Sequence, residues 1–360
     1  MERNSLSQSA PSTNPEKRFY HRLLSIFSGI PIPVTDMDRR RFIRRNLIFH
    51  FRPQTVAQQS LRFTLSWGLG GMAAVLIAVQ LTSGILLKFA YDPAPIAAHA
   101  SIQVMITTAP FGRLIRNIHF WSANLLVPVV FLHMLRVFLT GAFHPPRQFN
   151  WIIGLFQFAL ILGANFTGYL LPWDQLAYWA VTVSTGMLEY IPLIGPGLRN
   201  LILAGPHIGP STLRQFYVLH TAVIPVFLAL FMAFHFWRVR KAGGLAVADR
   251  DKDKQVPSIP DLLVRETATA LALLAFILSI SVFFNAPLGD PANPGLSPNP
   301  TKAPWYFAGF QEILFHIHPV FAVFVIPLAS GLFLLLIPYF PYDDPVSGRW
   351  FISPKGKKHP

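Results

Sequence analysis

The chain has 360 residues, of which 52% are hydrophobic and only 13% charged, and its formal net charge is +14. A soluble chain of this length would hold two or three domains, but so apolar a composition reads instead as an all-α integral membrane protein. In a soluble protein the basic excess would point to nucleic acid. Here the basic residues gather at the termini and in a few loops, the pattern of membrane orientation, so the partner expected is the lipid surface and no nucleic acid is implied. Cysteine is absent, which excludes disulfides, thiolate metal sites and an iron–sulfur cluster held by this chain.

Residues 1–60 read as a polar, basic cytoplasmic tail without the leading apolar core of a cleavable signal. Within it RFYHRLLSIF (18–27) has the pattern of an amphipathic surface helix, with Arg18 and Arg22 toward the head groups. RRRFIRR (39–45) reads as an interfacial anchor. A first spanning helix is expected over about 61–90, a second over 117–140 and a third over 150–171. The stretch after TGYLLPWDQ (167–175), to about 210, is rich in Gly and Pro, and its apolar segments are too short to cross, so they are expected to lie along the surface as helices. A fourth span is expected over 212–239. The charged segment ADRDKDKQVPSIPD (248–261) is the clearest boundary. A fifth span follows at 262–284, then a Pro/Asn/Gly loop (285–307), a short helix through GFQEILF, a sixth span at 319–338 and a polar tail (341–360). The expected organisation is thus a four-helix bundle (61–247), a linker (248–261) and a two-helix region (262–340). Six spans put both termini on one side, and the basic loops mark that side as cytoplasmic, so a multi-pass protein of the cell's inner membrane is expected.

Four histidines stand inside these apolar runs, where an imidazole is costly unless something satisfies it. His119 and His133 are 14 residues apart, and His220 and His235 are 15 apart. At 100° per residue, 14 steps return to within about 40° of the starting azimuth and 15 steps to within about 60°. Each run therefore carries two histidines on one face, about 21 Å apart along the axis. The second and fourth spans run in the same direction, so the histidines can meet as two pairs at two depths, His119 with His220 on the outer side and His133 with His235 on the inner. Imidazoles facing each other across a bundle are the axial ligands of a low-spin haem. A single histidine in a membrane helix is more often a hydrogen-bonded interior residue or a proton relay. Four with matched spacing favour two bis-histidine b haems.

Gly70 and Gly84 in the first span and Gly154 and Gly168 in the third repeat the spacing of 14. Glycine costs a helix interior roughly 1 kcal/mol, so paired glycines at the histidine depths suggest a flat group pressed against the backbone; ordinary close packing of helices is the alternative. Arg116, Arg136 and Arg240 lie within a turn or so of His119, His133 and His235 and are candidate clamps for haem propionates, with interfacial snorkelling as the competing role.

GRLIRNIHFWSANLLVPVVFLHMLRVFLTGAF, TGYLLPWDQLAYWAV and STLRQFYVLHTAVIPVFLALFMAFHFWRVRKAG together resemble the cytochrome b subunit of the Rieske/cytochrome b family of quinol–cytochrome c and quinol–plastocyanin reductases. The resemblance covers about residues 45–340. The spacing of 15 in the second pair is similar to the chloroplast-type branch, in which a separate small subunit follows the fourth helix; the 248–261 segment resembles that junction fused into one chain. The resemblance implies oxidation of quinol at an outer pocket, electron transfer across the bilayer and quinone reduction at the inner face, in a Q cycle that translocates protons. It implies a Rieske iron–sulfur protein and a c-type cytochrome as partners, and a homodimer.

In this family the outer pocket is built from the PWDQ region and a Pro-Glu-Trp-Tyr motif. Here the latter reads Ala303-Pro304-Trp305-Tyr306, so the glutamate that usually accepts a proton is absent. Glu312 is the candidate replacement, in a partly apolar pocket, with Trp305, Tyr306 and Tyr169 as further contacts to the quinone. The chloroplast-type branch also carries a third haem attached through a cysteine in the first helix. That stretch here reads Trp67-Gly68-Leu69-Gly70-Gly71, so no thioether can form and two haems are expected, a third only if held without a covalent bond. The alternative reading is a dihaem membrane anchor of a dehydrogenase or hydrogenase. It would leave PWDQ and the APWY loop without a purpose.

Overall fold

The computed structural model of the protein describes residues 53–248, 254–298, 303–342 and 348–351, together with residue 37. The surface helix expected at 18–27, the basic run at 39–45, residues 249–253 of the linker and the KGKK tail lie outside these residues. Among the described residues six helices are long and apolar enough to cross a membrane. They are α1 (Leu69–Lys88), α3 (Gly112–Leu139), α4 (Gln148–Leu170), α7 (Pro210–Lys241), α8 (Asp261–Phe283) and α10 (Phe321–Tyr339). Between them lie the short helices α2 (Ala98–Thr107), α5 (Gln175–Gly186), α6 (Gly195–Leu203) and α9 (Trp305–His316). Large apolar side chains on the spans, among them Phe156, Leu230, Phe276 and Leu332, are exposed on the outside of the bundle, as a lipid-facing surface requires. The chain is an all-α multi-pass membrane protein.

The first span begins later than its hydropathy suggests. Trp67 and Gly68 both take left-handed backbone conformations (φ 52° and 64°), which an α-helix cannot contain, so a separate turn at Phe63–Ser66 precedes α1. Two spans carry a π-helical turn, Leu219–Val223 in α7 and Phe321–Val325 in α10. Each lies just before a proline, Pro225 and Pro327. A proline inside a helix lacks its N–H and crowds the carbonyl four residues earlier, and a wider turn relieves that conflict.

The helices pack α1 on α3, α4 on α7, and α8 on α3 and α1. The main apolar core joins Leu69, Ala73, Leu76 and Ile77 of α1, Leu126, Val127, Val129 and Val130 of α3, Ile161 of α4, Leu228 of α7 and Leu273 and Ile277 of α8. Apart from Leu69 at the start of α1, the residues from the first four spans all lie, along their helices, between the two histidine depths, so a dry apolar layer separates the pairs. One face of α3 ties the two halves of the chain together through residues spaced i, i+4, i+7. Asn117 Nδ2 donates to the Ser281 carbonyl (2.9 Å), Trp121 Nε1 to that of Phe284 (2.8 Å), and Trp305 Nε1 donates to Asn124 Oδ1 (2.7 Å).

The segment expected as a free linker is anchored where it is described. Ala246, Val247 and Ala248 are buried, and Gln255–Pro257 (β2) pairs antiparallel with Thr55–Ala57 (β1), Val56 opposite Val256. Ser258 Oγ adds a bond to the Pro53 carbonyl (2.7 Å) and Arg265 one to that of Leu61 (2.7 Å). The charged sequence of 248–261 gave no sign of this ladder, because a three-residue strand is too short to show a period.

Candidate cofactor and substrate sites

His119 on α3 and His220 on α7 face each other with ring centroids 6.1 Å apart and planes at 79°. His133 and His235 do the same at the other end of these helices, at 6.5 Å and 73°. The unequal spacings in sequence give matching pairs because the π-helical turn beside His220 takes up one residue. With that residue absorbed, 15 positions advance as 14 do, and both pairs return to about 40° short of four full turns.

The ring nitrogens are oriented from outside. The Ser83 hydroxyl donates to the Val79 carbonyl (2.6 Å), so its oxygen is left to accept from His119 Nδ1 at 2.9 Å. His220 Nδ1 stands 2.9 Å from the Ala164 carbonyl, which can only accept. Both rings are therefore held with the proton on Nδ1 and a lone pair on Nε2. His235 lies beside the Asn150 carbonyl, its Nδ1 without a bond of ordinary geometry. Gln80 Nε2 clamps α1 to α3 through the His119 carbonyl (2.7 Å).

Each of the four glycines stands against one histidine. A Cβ on Gly70 would come 3.1 Å from His133 Cε1, on Gly84 3.2 Å from His119 Cε1, on Gly154 4.0 Å from His235 Cε1 and on Gly168 2.5 Å from His220 Cε1. The sequence pointed to a flat group as the neighbour of these glycines; in the structure the neighbour is the edge of the imidazole.

The arginines differ in what they hold. Arg116 donates through Nη1 and Nη2 to the carbonyls of Ala286 (2.8 Å) and Pro287 (2.5 Å), tying down the loop after α8. Arg136 is 3% exposed; its Nε donates to the Leu65 carbonyl (2.9 Å), and its Nη2 has no partner. Arg240 sits with Arg238 and Lys241 in the last turn of α7. Among the described residues no three His, Cys, Asp or Glu side chains cluster as metal ligands.

At the His119–His220 end a cavity of about 540 Å³ opens between α4, α5, α6 and α9, lined by Phe166, Val183, Ser184, Thr185, Ile202, Ala303, Phe307, Phe310, Gln311 and Leu314 among others. Asp174 of PWDQ caps α5 by accepting from the Ala177 N–H (2.8 Å) and also accepts from the Gly289 N–H (3.1 Å). Gln175 holds Asn293 and Leu296 of the same loop. The motif thus pins the 285–298 loop against the start of α5.

The four candidates for this site stand around the cavity and do not line it. Trp305 is turned to Asn124. Tyr306 packs against the main core and lies within electrostatic reach of Tyr169; burial pushes its phenol up, so it keeps its proton. Glu312 corrects the expectation of a partly apolar pocket. Its side chain is 68% exposed and pairs with His316 at 3.1 Å one turn on. The reason is helix phase. Phe307, Phe310, Gln311 and Leu314 form the i, i+3, i+4, i+7 stripe that meets the cavity, and position 312 falls on the opposite side. That stripe was readable in the sequence, and it would have selected Gln311 and Phe307 over Glu312.

The sequence profile of the family described as Cytochrome b/b6/petB matches residues 55–243, just over half of the chain. The chain belongs to the cytochrome b/b6 family. Two relatives described as cytochrome b6, from Prochlorothrix hollandica and Gracilaria tenuistipitata var. liui, are each 43% identical over 175 residues. These residues are 49% of this chain and 79% and 81% of the relatives. A solved structure titled hyperthermophilic respiratory Complex III is similar with a TM-score of 0.72 at 30% identity, covering 82% of this chain and 79% of that one. As a cytochrome b the chain is a haem-b-binding membrane protein, and both histidine pairs lie within the matched residues.

Proposed function

We propose that this chain is the cytochrome b subunit of a quinol:cytochrome c-type oxidoreductase, with His119/His220 and His133/His235 as axial ligands of two b haems. The spacing of the rings carries the reading. A metal bonded at about 2.0 Å to one imidazole nitrogen of each ring would fit between rings whose centres are on the order of 6 Å apart. The two pairs stand at 6.1 and 6.5 Å. A histidine pair of this kind would hold a haem, which would supply one-electron chemistry there. The Nδ1 bonds of His119 and His220 leave Nε2 free to ligate, and Gly70, Gly84, Gly154 and Gly168 leave room for a flat group beside the rings. The unpartnered Nη2 of buried Arg136 suits a propionate; Arg240 is a further cation on the His235 helix, while Arg116 is taken up by the Ala286 and Pro287 carbonyls. When bound, the haems supply one-electron carriers at two depths, about 21 Å apart along the helices.

The cavity is the quinol pocket. Phe166, Phe307 and Phe310 offer apolar walls, and Ser184, Thr185 and Gln311 offer hydrogen bonds to the head group. Tyr306 packs beside Phe307 of the wall, with Trp305 next to it and Tyr169 within electrostatic reach of Tyr306. Glu312 with His316 receives protons at the water face of α9 instead of touching the quinol. Electrons divide between a Rieske partner, and beyond it a c-type cytochrome, and the opposite membrane face, where quinone is reduced in a Q cycle. The cavity end faces outward and both termini are cytoplasmic, in the cytoplasmic membrane of a homodimeric complex. A dihaem anchor for a dehydrogenase would share the histidine pairs, but the apolar cavity walled by α5 and α9 favours quinol oxidation.

Reduced-minus-oxidised spectra with redox titration test the reading. Two b-type components are expected, with His220→Leu removing one and His235→Leu the other. No b-type α band in the wild type would sink both haem readings. For Glu312→Gln, a quinol oxidation rate unchanged at every pH would remove that residue from the proton path.

A further inference from the structure

Residues 348–351, distant in sequence from every residue assigned to a site, fold back over the His133–His235 end of the bundle. The Gly348 N–H donates to the Thr140 carbonyl (2.8 Å) and the Phe351 N–H to that of Leu139 (3.0 Å). These carbonyls belong to the open end of α3, where no intrahelical donor remains. The Trp350 indole donates to the Thr64 carbonyl (3.0 Å). Gly348 is left-handed (φ +83°), and a Cβ there would fall on the backbone of Val247.

These bonds share a location. Leu139 and Thr140 lie one turn beyond Arg136 on α3, and Thr64 adjoins Leu65, whose carbonyl holds Arg136 Nε. The segment therefore cross-links the two stretches of backbone that position this guanidinium. Arg136 is buried, its Nη2 is unpartnered, and the charged neighbour it feels, Arg147, is also positive. Arg147 is only half-buried and is held by the Gly244 and Ala242 carbonyls (2.7 Å each), so Arg136 is the buried cation here that still calls for an anion.

We propose that residues 348–351 are a retaining strap that fixes Arg136 for a buried carboxylate, which on the reading above is a propionate of the inner haem. Trp350 and Gly348 are then positioning residues of the inner cofactor site, acting through Arg136. A cation held beside a haem favours its reduced, more negative state, so loosening the strap lowers the inner potential and the inner occupancy alone.

The test uses the full chain in membranes, with Gly348→Val to unseat the strap, Trp350→Phe to remove one bond while keeping a ring, and Arg136→Gln. Haem per chain and a redox titration resolving two components are the readouts, and an intact outer component reports that each variant has folded. The strap predicts that Gly348→Val loses the inner haem or lowers its midpoint, with Trp350→Phe changing it less and in the same direction. It also predicts that combining Gly348→Val with Arg136→Gln adds little to either alone. Both midpoints and both haems unchanged in Gly348→Val would overturn it, as would equal shifts of the two components. Loss of a tightly bound anionic phospholipid with both haems unaffected would also overturn it, by assigning the anion to lipid. A wild type with no b-type component would fail the haem reading itself, a result distinct from all of these.

Discussion

Gly168→Ala puts a single methyl group where the structure has least room for one. Its Cβ would stand 2.5 Å from Cε1, 2.9 Å from Nδ1 and 3.1 Å from Nε2 of His220. Ordinary contact needs roughly 3.4 Å or more, so the ring has to retreat by about 0.9 Å, an overpacking that costs about 1–3 kcal/mol. The ring is not free to retreat, because Nδ1 is bonded to the Ala164 carbonyl one turn earlier on the same helix. Losing that bond costs about 1 kcal/mol more. Together, about 2–4 kcal/mol against the His119–His220 site corresponds to roughly a 30- to 1000-fold loss in cofactor affinity there. Gly154→Ala is the internal control, since its Cβ would meet His235 at an ordinary 4.0 Å. Haem content with redox-resolved difference spectra should show Gly168→Ala losing the component that His220→Leu removes, and Gly154→Ala keeping both. Two unperturbed components in Gly168→Ala, or a larger loss in Gly154→Ala, would refute the argument that glycine is there for the approach of the histidine.

Ser83→Ala removes the acceptor that fixes the His119 tautomer. It should weaken the outer site by about 10- to 100-fold and leave the inner component unmoved, as measured by haem retention during dilution. Asp174→Ala removes the cap of α5 and the hold on Gly289 together. It should destabilise by about 1 kcal/mol and raise the KM for quinol more than it lowers kcat, while Asp174→Asn keeps most of both. Burial holds the Tyr306 phenol protonated, so its folded value lies above the unfolded one of about 10. Any pH-dependent loss of stability from this group therefore falls on the alkaline side, above about pH 10, and none arises near neutrality. Quinol oxidation by Tyr306→Phe should accordingly differ from wild type by a constant factor between pH 6 and 9, whereas a change in profile shape would show that Tyr306 titrates in the reaction.

How much of this protein is legible without its coordinates depends on the range over which each feature is encoded. The spans, their order, the two histidines on each of two helices and the glycines repeating at 14 all follow from hydropathy and from 3.6 residues per turn, which act within one segment. The depth at which each glycine meets its histidine was readable for the same reason. Local pattern could not say that 15 residues advance like 14 in α7, because that rests on the turn the backbone takes ahead of Pro225. Nor could it tell that Arg116 is bound to the carbonyls of a loop 170 residues away while Arg136 keeps a nitrogen free, since both lie beside a histidine in the same helix. Glu312 shows the cost of choosing a residue by its chemistry before its phase: its carboxylate is turned to water. The cavity, the β1–β2 clamp and the strap over Arg136 join residues separated by most of the chain. Tertiary packing alone decided these, because the energy of each contact depends on a partner that no local window contains.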